Sequence, residues 1–296
     1  MRCKVLSVIA VSLVFGVFAR AQTNYAAAIE KWRVEHEAKL KGESGWLTVA
    51  GLFWLKEGGN TVGAGAGFDI ELTENFKSGK FGTIVFQNEK AVLKVEPGVE
   101  ALSGGKAVSE IELASDENGE PTVIETGSQT FYLIKREDRF AIRLKDKNSR
   151  QRTGFSGLKW FPVNEKYKVE ARFEAFDAPK AVLIPNVLGG NFKMKSPGVL
   201  RFKLNGKKYA LEPVLEEGNP DELFIIFRDA TSRTETYGAG RFLYAKKAAD
   251  GKVILDFNKA ENPPCAFTAF ATCPLPPPQN RLAAEIKAGE KRYGNH

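Results

Sequence analysis

The chain has 296 residues, 43% of them apolar and 21 of them Phe, with a formal net charge of +7. That composition can build a packed core and excludes a disordered or fibrous chain, and so modest a positive excess gives no ground for nucleic-acid binding. With two histidines and three cysteines, a zinc site built on His pairs is excluded; no metal and no cofactor is expected.

The chain opens Met1-Arg-Cys-Lys4, continues with the apolar run Val5 to Phe18, and reaches Ala19-Arg-Ala21. A basic start, a short apolar stretch and an Ala-x-Ala end are the three parts of a secretory signal peptide. The apolar run is shorter than the roughly 20 residues a membrane span needs. Cleavage after Ala21 is therefore expected, with export to the periplasm or the extracellular medium. Removing residues 1–21 from 296 leaves 275, with no membrane span, and the loss of Arg2, Lys4 and Arg20 lowers the charge to +4.

Residues 25–40 read as an amphipathic helix. Ile29, Trp32, His36 and Leu40 recur at spacings of three and four, with Glu30, Lys31, Arg33, Glu35, Glu37 and Lys39 on the other side. On that face His36 reads as a satisfied, partly buried histidine. Gly42 and Gly45 end the helix, which forms an N-terminal strap over 22–45.

From residue 46 the pattern is β. Trp46 to Leu55 is a dense apolar run, and 79–85 and 91–95 are short strands. Residues 130–134 and 140–144 flank a charged turn and form a hairpin. From Tyr167 to Phe176 the chain alternates, with Val169, Ala171 and Phe173 on one face and Lys168, Glu170, Arg172 and Glu174 on the other. Strands 199–204 and 207–213 surround Asn205-Gly206, the strongest short hairpin signal in the chain. Strands 223–227, 242–245 and 253–257 complete the set, the last two joined across Asp250-Gly251. Residues 281–292 leave helix and strand both open.

The expected fold is mainly β, as an antiparallel sandwich or barrel-like sheets, with the N-terminal amphipathic helix. The Pro- and Gly-marked stretch 177–197 reads as a long connection between a β module over 46–176 and a C-terminal β module over 177–296, although one domain is equally allowed. Cys3 leaves with the signal, so Cys265 and Cys273 remain, an even pair that reads as a disulfide in an oxidising compartment. It closes a short loop and is worth at most roughly 2.5 kcal/mol.

The last quarter carries the densest polar sequence: Phe227-Arg228-Asp229-Ala-Thr231, Tyr237-Gly-Ala-Gly-Arg241, Leu255-Asp256-Phe-Asn258 and Asn262-Pro-Pro-Cys265. No Gly-x-Ser-x-Gly elbow, Walker loop or dinucleotide fingerprint is present. What remains is carboxylate and arginine chemistry. Asp229 and Asp256 each follow an apolar strand, and two carboxylates at a sheet rim can act as acid and base on a glycosidic bond. Alternatively Arg228 and Arg241, with the backbone N–H groups around Gly238 and Gly240, cradle a carboxylate or phosphate. A third reading is a salt-bridged network tying strands together. Tyr237, Asn258 and Asn262 fit any of these.

Trp46 to Leu55, Phe155-Ser-Gly-Leu-Lys-Trp160-Phe-Pro162, Phe227 to Thr231, Tyr237 to Tyr244, and Leu255 to Asn280 with its two cysteines resemble an uncharacterised prokaryotic family, domain of unknown function 1684. The chain departs from that pattern at Ser232-Arg233, where a glycine more usually follows the serine. The resemblance implies unity of fold across residues 30–292 and carries no activity. The leading expectation is a binding protein for a small polar or anionic ligand, anchored by Arg228 and Arg241 with Asp229 and Asp256 orienting them. The alternatives are a hydrolase of a sugar or cell-envelope component acting through Asp229 and Asp256, and a structural envelope protein without a ligand. Oligomeric state is left open.

Overall fold

The computed structural model describes residues 6–74, 76, 79–216, 219–247 and 250–294, with the backbone alone described for 6–23 and 220. The first five residues of the expected signal peptide, Cys3 among them, and His296 lie outside the described residues. Helix α1 runs Leu6–Lys41, and among the described residues no helix is long and apolar enough to cross a membrane. The chain divides into two compact units, the first Lys39–Ser156 with Phe267–Cys273, the second Met1–Ala38, Gly157–Ala266 and Pro274–His296.

The first unit holds β1 (Val49–Trp54), β2 (Gly58–Ala64), β3 (Ile70–Leu72), β4 (Lys80–Gln87), β5 (Lys90–Val95), β6 (Leu102–Ser103), β7 (Lys106–Ala107), β8 (Glu110–Glu112), β9 (Val123–Thr126), β10 (Gln129–Arg136) and β11 (Arg139–Asp146), followed by the single turn α2 (Arg150–Thr153). They form a sheet in the order β1-β11-β10-β9-β6-β7 and another in the order β3-β2-β4-β5-β8. The pairs are antiparallel apart from β2 with β3. Inward residues of these strands, among them Val62, Phe81, Ile84, Leu93, Phe131, Ile142 and Leu144, supply one apolar core. The 130–144 hairpin is present as β10 and β11. Asn88 and Glu89, with φ of 50° and 61°, make the turn between β4 and β5. Two positive φ values in sequence suit the twist of a two-residue hairpin even without glycine.

The second unit holds β12 (Lys168–Pro185), β13 (Asn191–Leu204), β14 (Lys207–Leu211), β15 (Val214–Glu216), β16 (Asn219–Phe227), β17 (Arg241–Lys246) and β18 (Lys252–Asp256). The order is β17-β16-β15-β13-β12-β18, with β14 also on β13. Asn205 and Gly206, at φ of 50° and 77°, form the expected hairpin turn between β13 and β14. The 176/177 boundary drawn from sequence falls inside β12, and 177–197 is a long hairpin of β12 with β13 instead of a connection. Its prolines sit at a break in register between Ala175 and Lys180 and at the strand end, the places where a missing N–H does least harm.

Strands β17 and β18 follow one another across Asp250-Gly251, yet β18 pairs with β12, placing Val169 opposite Leu255 and Ala171 opposite Val253. That register sends four apolar residues to one face, which joins the core of Leu200, Phe202, Leu223, Ile225, Phe227, Leu243 and Phe257. Residues 281–292 form neither helix nor named strand. They run as an extended segment that sinks Leu282, Ile286 and Ala288 into this core. A segment without its own ladder must satisfy its backbone elsewhere, and how it does so organises the polar residues of this unit.

Candidate functional site

Arg241 opens β17 and is fully buried, as is the side chain of Asp229 just after β16. A guanidinium out of water requires a partner for its charge and for its donors. Asp229 supplies the charge, Oδ1 lying 3.3 Å from Nη2. The C-terminal segment supplies the acceptors: Nη2 donates to Ile286 O at 2.9 Å, and Nη1 donates to the carbonyls of Ala288 and Glu290. Asp229 returns the contact, its Oδ2 accepting from Ile286 N at 2.7 Å, while Thr231 Oγ1 donates to both carboxylate oxygens at 2.9–3.0 Å. Burial lowers the pKa of Arg241 and Asp229 opposes that shift. This pair is a clamp on residues 286–290.

Glycine geometry sharpens the point. Gly240 stands at φ 110°, and a Cβ there would meet Pro276 Cγ at 2.5 Å and Phe227 O at 2.6 Å. Its N–H donates to Tyr237 O. The Tyr237-Gly-Ala-Gly-Arg241 run therefore serves close chain approach at this position. Tyr237 donates its hydroxyl to Cys265 O at 3.1 Å.

Asp256 and Asn258 meet α1. Tyr25 donates to Asp256 Oδ1 at 2.8 Å, and Asn258 Nδ2 donates to Tyr25 Oη and to Asn164 O, both at 3.0 Å. Burial first, then the Asp256 hydrogen bond, raises the pKa of Tyr25. Asn262 N donates to Glu290 Oε2 at 3.1 Å and its Nδ2 to Lys291 O at 2.8 Å. Asp229 and Asp256 thus belong to different hydrogen-bond networks of one unit.

Glu290 connects to a residue the sequence suggests only as core. His36 Nε2 lies 2.8 Å from Glu290 Oε1 and Nδ1 lies 3.3 Å from Glu261 Oε2. Burial works against a charge on His36, but the Glu290 hydrogen bond and the fields of Glu261, Glu290 and Glu37 raise its pKa above 6.5. Glu290 is pushed up by burial and held back by His36. An imidazolium can donate to both carboxylates at once, whereas a neutral ring, with a single N–H, can donate to only one of them. The ring stacks on Trp32 at 5.1 Å and meets the edge of Trp160 at 6.0 Å. Trp160 Nε1 donates to Glu37 at 3.0 Å. Arg33, expected on the polar face, is buried instead: its Nη2 donates to Phe161 O at 2.8 Å and its guanidinium lies over Trp160. Among the described residues no set of three His, Cys, Asp or Glu side chains is placed to hold a metal.

Arg228 is different. Its backbone pairs in parallel with Arg281, through Arg228 N to Asn280 O at 3.0 Å and Leu282 N to Arg228 O at 2.7 Å. Residues bridged in this way leave the backbone on the same face, so the two arginines start from neighbouring positions on it. Arg228 is half-buried and Arg281 exposed, and among the described residues neither forms an ion pair. The nearby Glu212 is taken by Gln279 Nε2 at 2.9 Å, and buried Asn280 fixes the turn through Glu212 N and O and Ile226 O. Arg281, Glu261 and Glu290 escaped sequence reading. The only trace of the first is the polar run Gln279-Asn280-Arg281.

Cys265 is half-buried in the second unit and Cys273 is buried in the first, and the structure does not show the expected disulfide between them. A cavity of ≈ 270 Å³ lies in the first unit, lined by residues including Glu89, Glu112, Asn118 and Phe140. None of the expected site residues lines it.

Residues 153–291 match the family described as "Protein of unknown function (DUF1684)". An uncharacterized protein of Haloarcula marismortui, solved in solution by NMR, is 30% identical over 49% of this chain and 81% of its own, with a TM-score of 0.41. No curated protein matches.

Proposed function

The chain belongs, through residues 153–291, to the DUF1684 family, whose description names no activity, and from that premise we propose that it is an exported protein binding a small anionic ligand through Arg228 and Arg281. The observation that carries the reading is the bridged arginine pair without an acidic partner among the described residues. Like charges opposite one another on a ladder destabilise it, and a repulsion kept at a cost to stability marks a functional position. A carboxylate or phosphate relieves it by accepting from both forks. Arg241, the other expected anchor, has its Nη donors turned to the C-terminal segment and holds the frame on which Arg228 sits. Asp229, Asp256, Asn258, Asn262 and Tyr237 serve that frame.

Titration of the full chain with inorganic phosphate and with citrate, followed by calorimetry and thermal denaturation, tests the proposal. The expected result is saturable binding, with stabilisation of about 2.7 kcal/mol at a hundredfold excess over Kd. Arg228→Gln abolishes the response and leaves the ligand-free Tm equal or higher, because the repulsion is gone. Wild-type-like anion binding by Arg228→Gln and Arg281→Gln refutes it. Export with removal of residues 1–21, and oxidation of Cys265 with Cys273 after export, complete the proposal. They rest on the leader sequence and the even cysteine count, and N-terminal sequencing and thiol titration of the exported product check them.

A further inference from the structure

The β12–β13 hairpin ends in an apolar tip. Leu183, Val187 and Leu188 are 61%, 40% and 41% exposed. Side chains of this size are usually covered, and a group of them on one projection marks an interaction surface. Register puts Leu183 opposite Lys193 and Ala181 opposite Lys195, so these four share the exposed face, while Val182, Ile184, Phe192 and Met194 on the other face are half-buried or buried. Lys180 lies 3.8 Å over the ring of Phe176. From Ala178 to Lys195 the sequence contains no Asp or Glu, and among the described residues Lys180, Lys193 and Lys195 form no ion pair.

The tip is held in one shape. Asn186 is buried, and its Oδ1 accepts from Leu188 N at 2.9 Å and Gly190 N at 3.1 Å. Leu275 N donates to Pro185 O at 2.6 Å, fastening the turn to the C-terminal segment. Val187 and Leu188 are thus presented without a further ordering cost.

We propose that this hairpin docks the protein on an anionic lipid surface, with Leu183, Val187 and Leu188 entering the headgroup boundary and Lys193 and Lys195, on the face of Leu183, meeting lipid phosphates. An apolar end beside two lysines on one face, with no acidic residue between, is complementary to a negatively charged bilayer. A protein partner of ordinary mixed charge gains nothing from that uniform sign. The docking is peripheral and independent of the arginine pair.

Co-sedimentation of the full chain with vesicles of phosphatidylcholine and phosphatidylglycerol (3:1), against phosphatidylcholine alone, tests the proposal. Binding is expected for the anionic vesicles only, weakening as salt rises. Leu183→Asp with Leu188→Asp lowers partitioning by about tenfold or more, and each of Lys193→Gln and Lys195→Gln lowers it about fivefold. The lysine variants alter only exposed positions, so they decide the matter even if the leucine variant fails to fold. Absence of binding to anionic vesicles, binding indifferent to the lysine variants, or a dimer in sedimentation velocity that Leu183→Asp abolishes would each overturn it, the last by assigning the tip to a second copy.

Discussion

Replacing Asp229 by Asn tests the clamp most directly. The substitution keeps the shape of the side chain and removes its charge. In the native clamp Oδ1 accepts from Arg241 Nη2 and Thr231 Oγ1, and Oδ2 accepts from Ile286 N and Thr231 Oγ1. Every direction in which an amide can be turned therefore sets an N–H group against a donor. Arg241 meanwhile keeps a fully buried charge without its counter-ion. Breaking a buried pair from one side costs about 3–5 kcal/mol. At about 2–4 °C per kcal/mol for a chain of this size, Tm falls by roughly 6–20 °C. Differential scanning calorimetry gives the number, and far-UV circular dichroism shows whether the second unit melts first. Adding Arg241→Met to the variant removes the orphaned charge and recovers a large part of the loss. An Asp229→Asn protein that melts within about 2 °C of wild type, or a double variant no more stable than the single one, refutes the reasoning.

Other positions give independent checks. Arg233 stands at φ 79°, a region that costs a non-glycine residue about 1–2 kcal/mol, so Arg233→Gly is expected to stabilise by about 0.5–1 kcal/mol after the entropy of glycine is subtracted; denaturant titration reads it, and any loss of stability contradicts it. Asn280→Asp keeps the acceptor for Glu212 N but turns both amide donations, to Glu212 O and Ile226 O, into carboxylate–carbonyl repulsions, and should lose about 3 kcal/mol in the same titration, with a neutral outcome counting against the contact. The pH dependence follows from His36 and Glu290, whose folded pKa values are both raised. The folded state then binds more protons than the unfolded one, so stability falls as pH rises. For His36 the contribution is complete below about pH 6.5 and fades above it as the ring deprotonates. The wild type should therefore lose more Tm between pH 6.5 and 8.5 than His36→Gln does, and equal slopes would dismiss the charged pair.

Much of the fold was legible because strands and hairpins are written locally. Alternation at Val169, Ala171 and Phe173 needs only the two-residue pleat, Asn205-Gly206 needs only its own two dihedrals, and the spacing of Ile29, Trp32, His36 and Leu40 needs only the helical period. The same local signals marked the last quarter as unusually polar. Partners were another matter. That β18 pairs with β12 instead of β17 depends on which faces are apolar in strands far apart in the chain. The stretch 177–197 reads as a connection and is a hairpin, because proline and glycine signal a turn without saying whether the chain returns to its own sheet. Residues 281–292 have no periodicity of their own, and they take their path from groups that accept and donate to them: Arg241, Asp229, Asn280 and Asn262. For that reason the sequence alone determined that Arg228, Asp229, Arg241 and Asp256 stand in a dense polar stretch and could not determine their partners. Only the tertiary structure decided that Arg241 and Asp229 grip the C-terminal segment, that Asp256 answers to Tyr25, and that Arg228 is left beside Arg281.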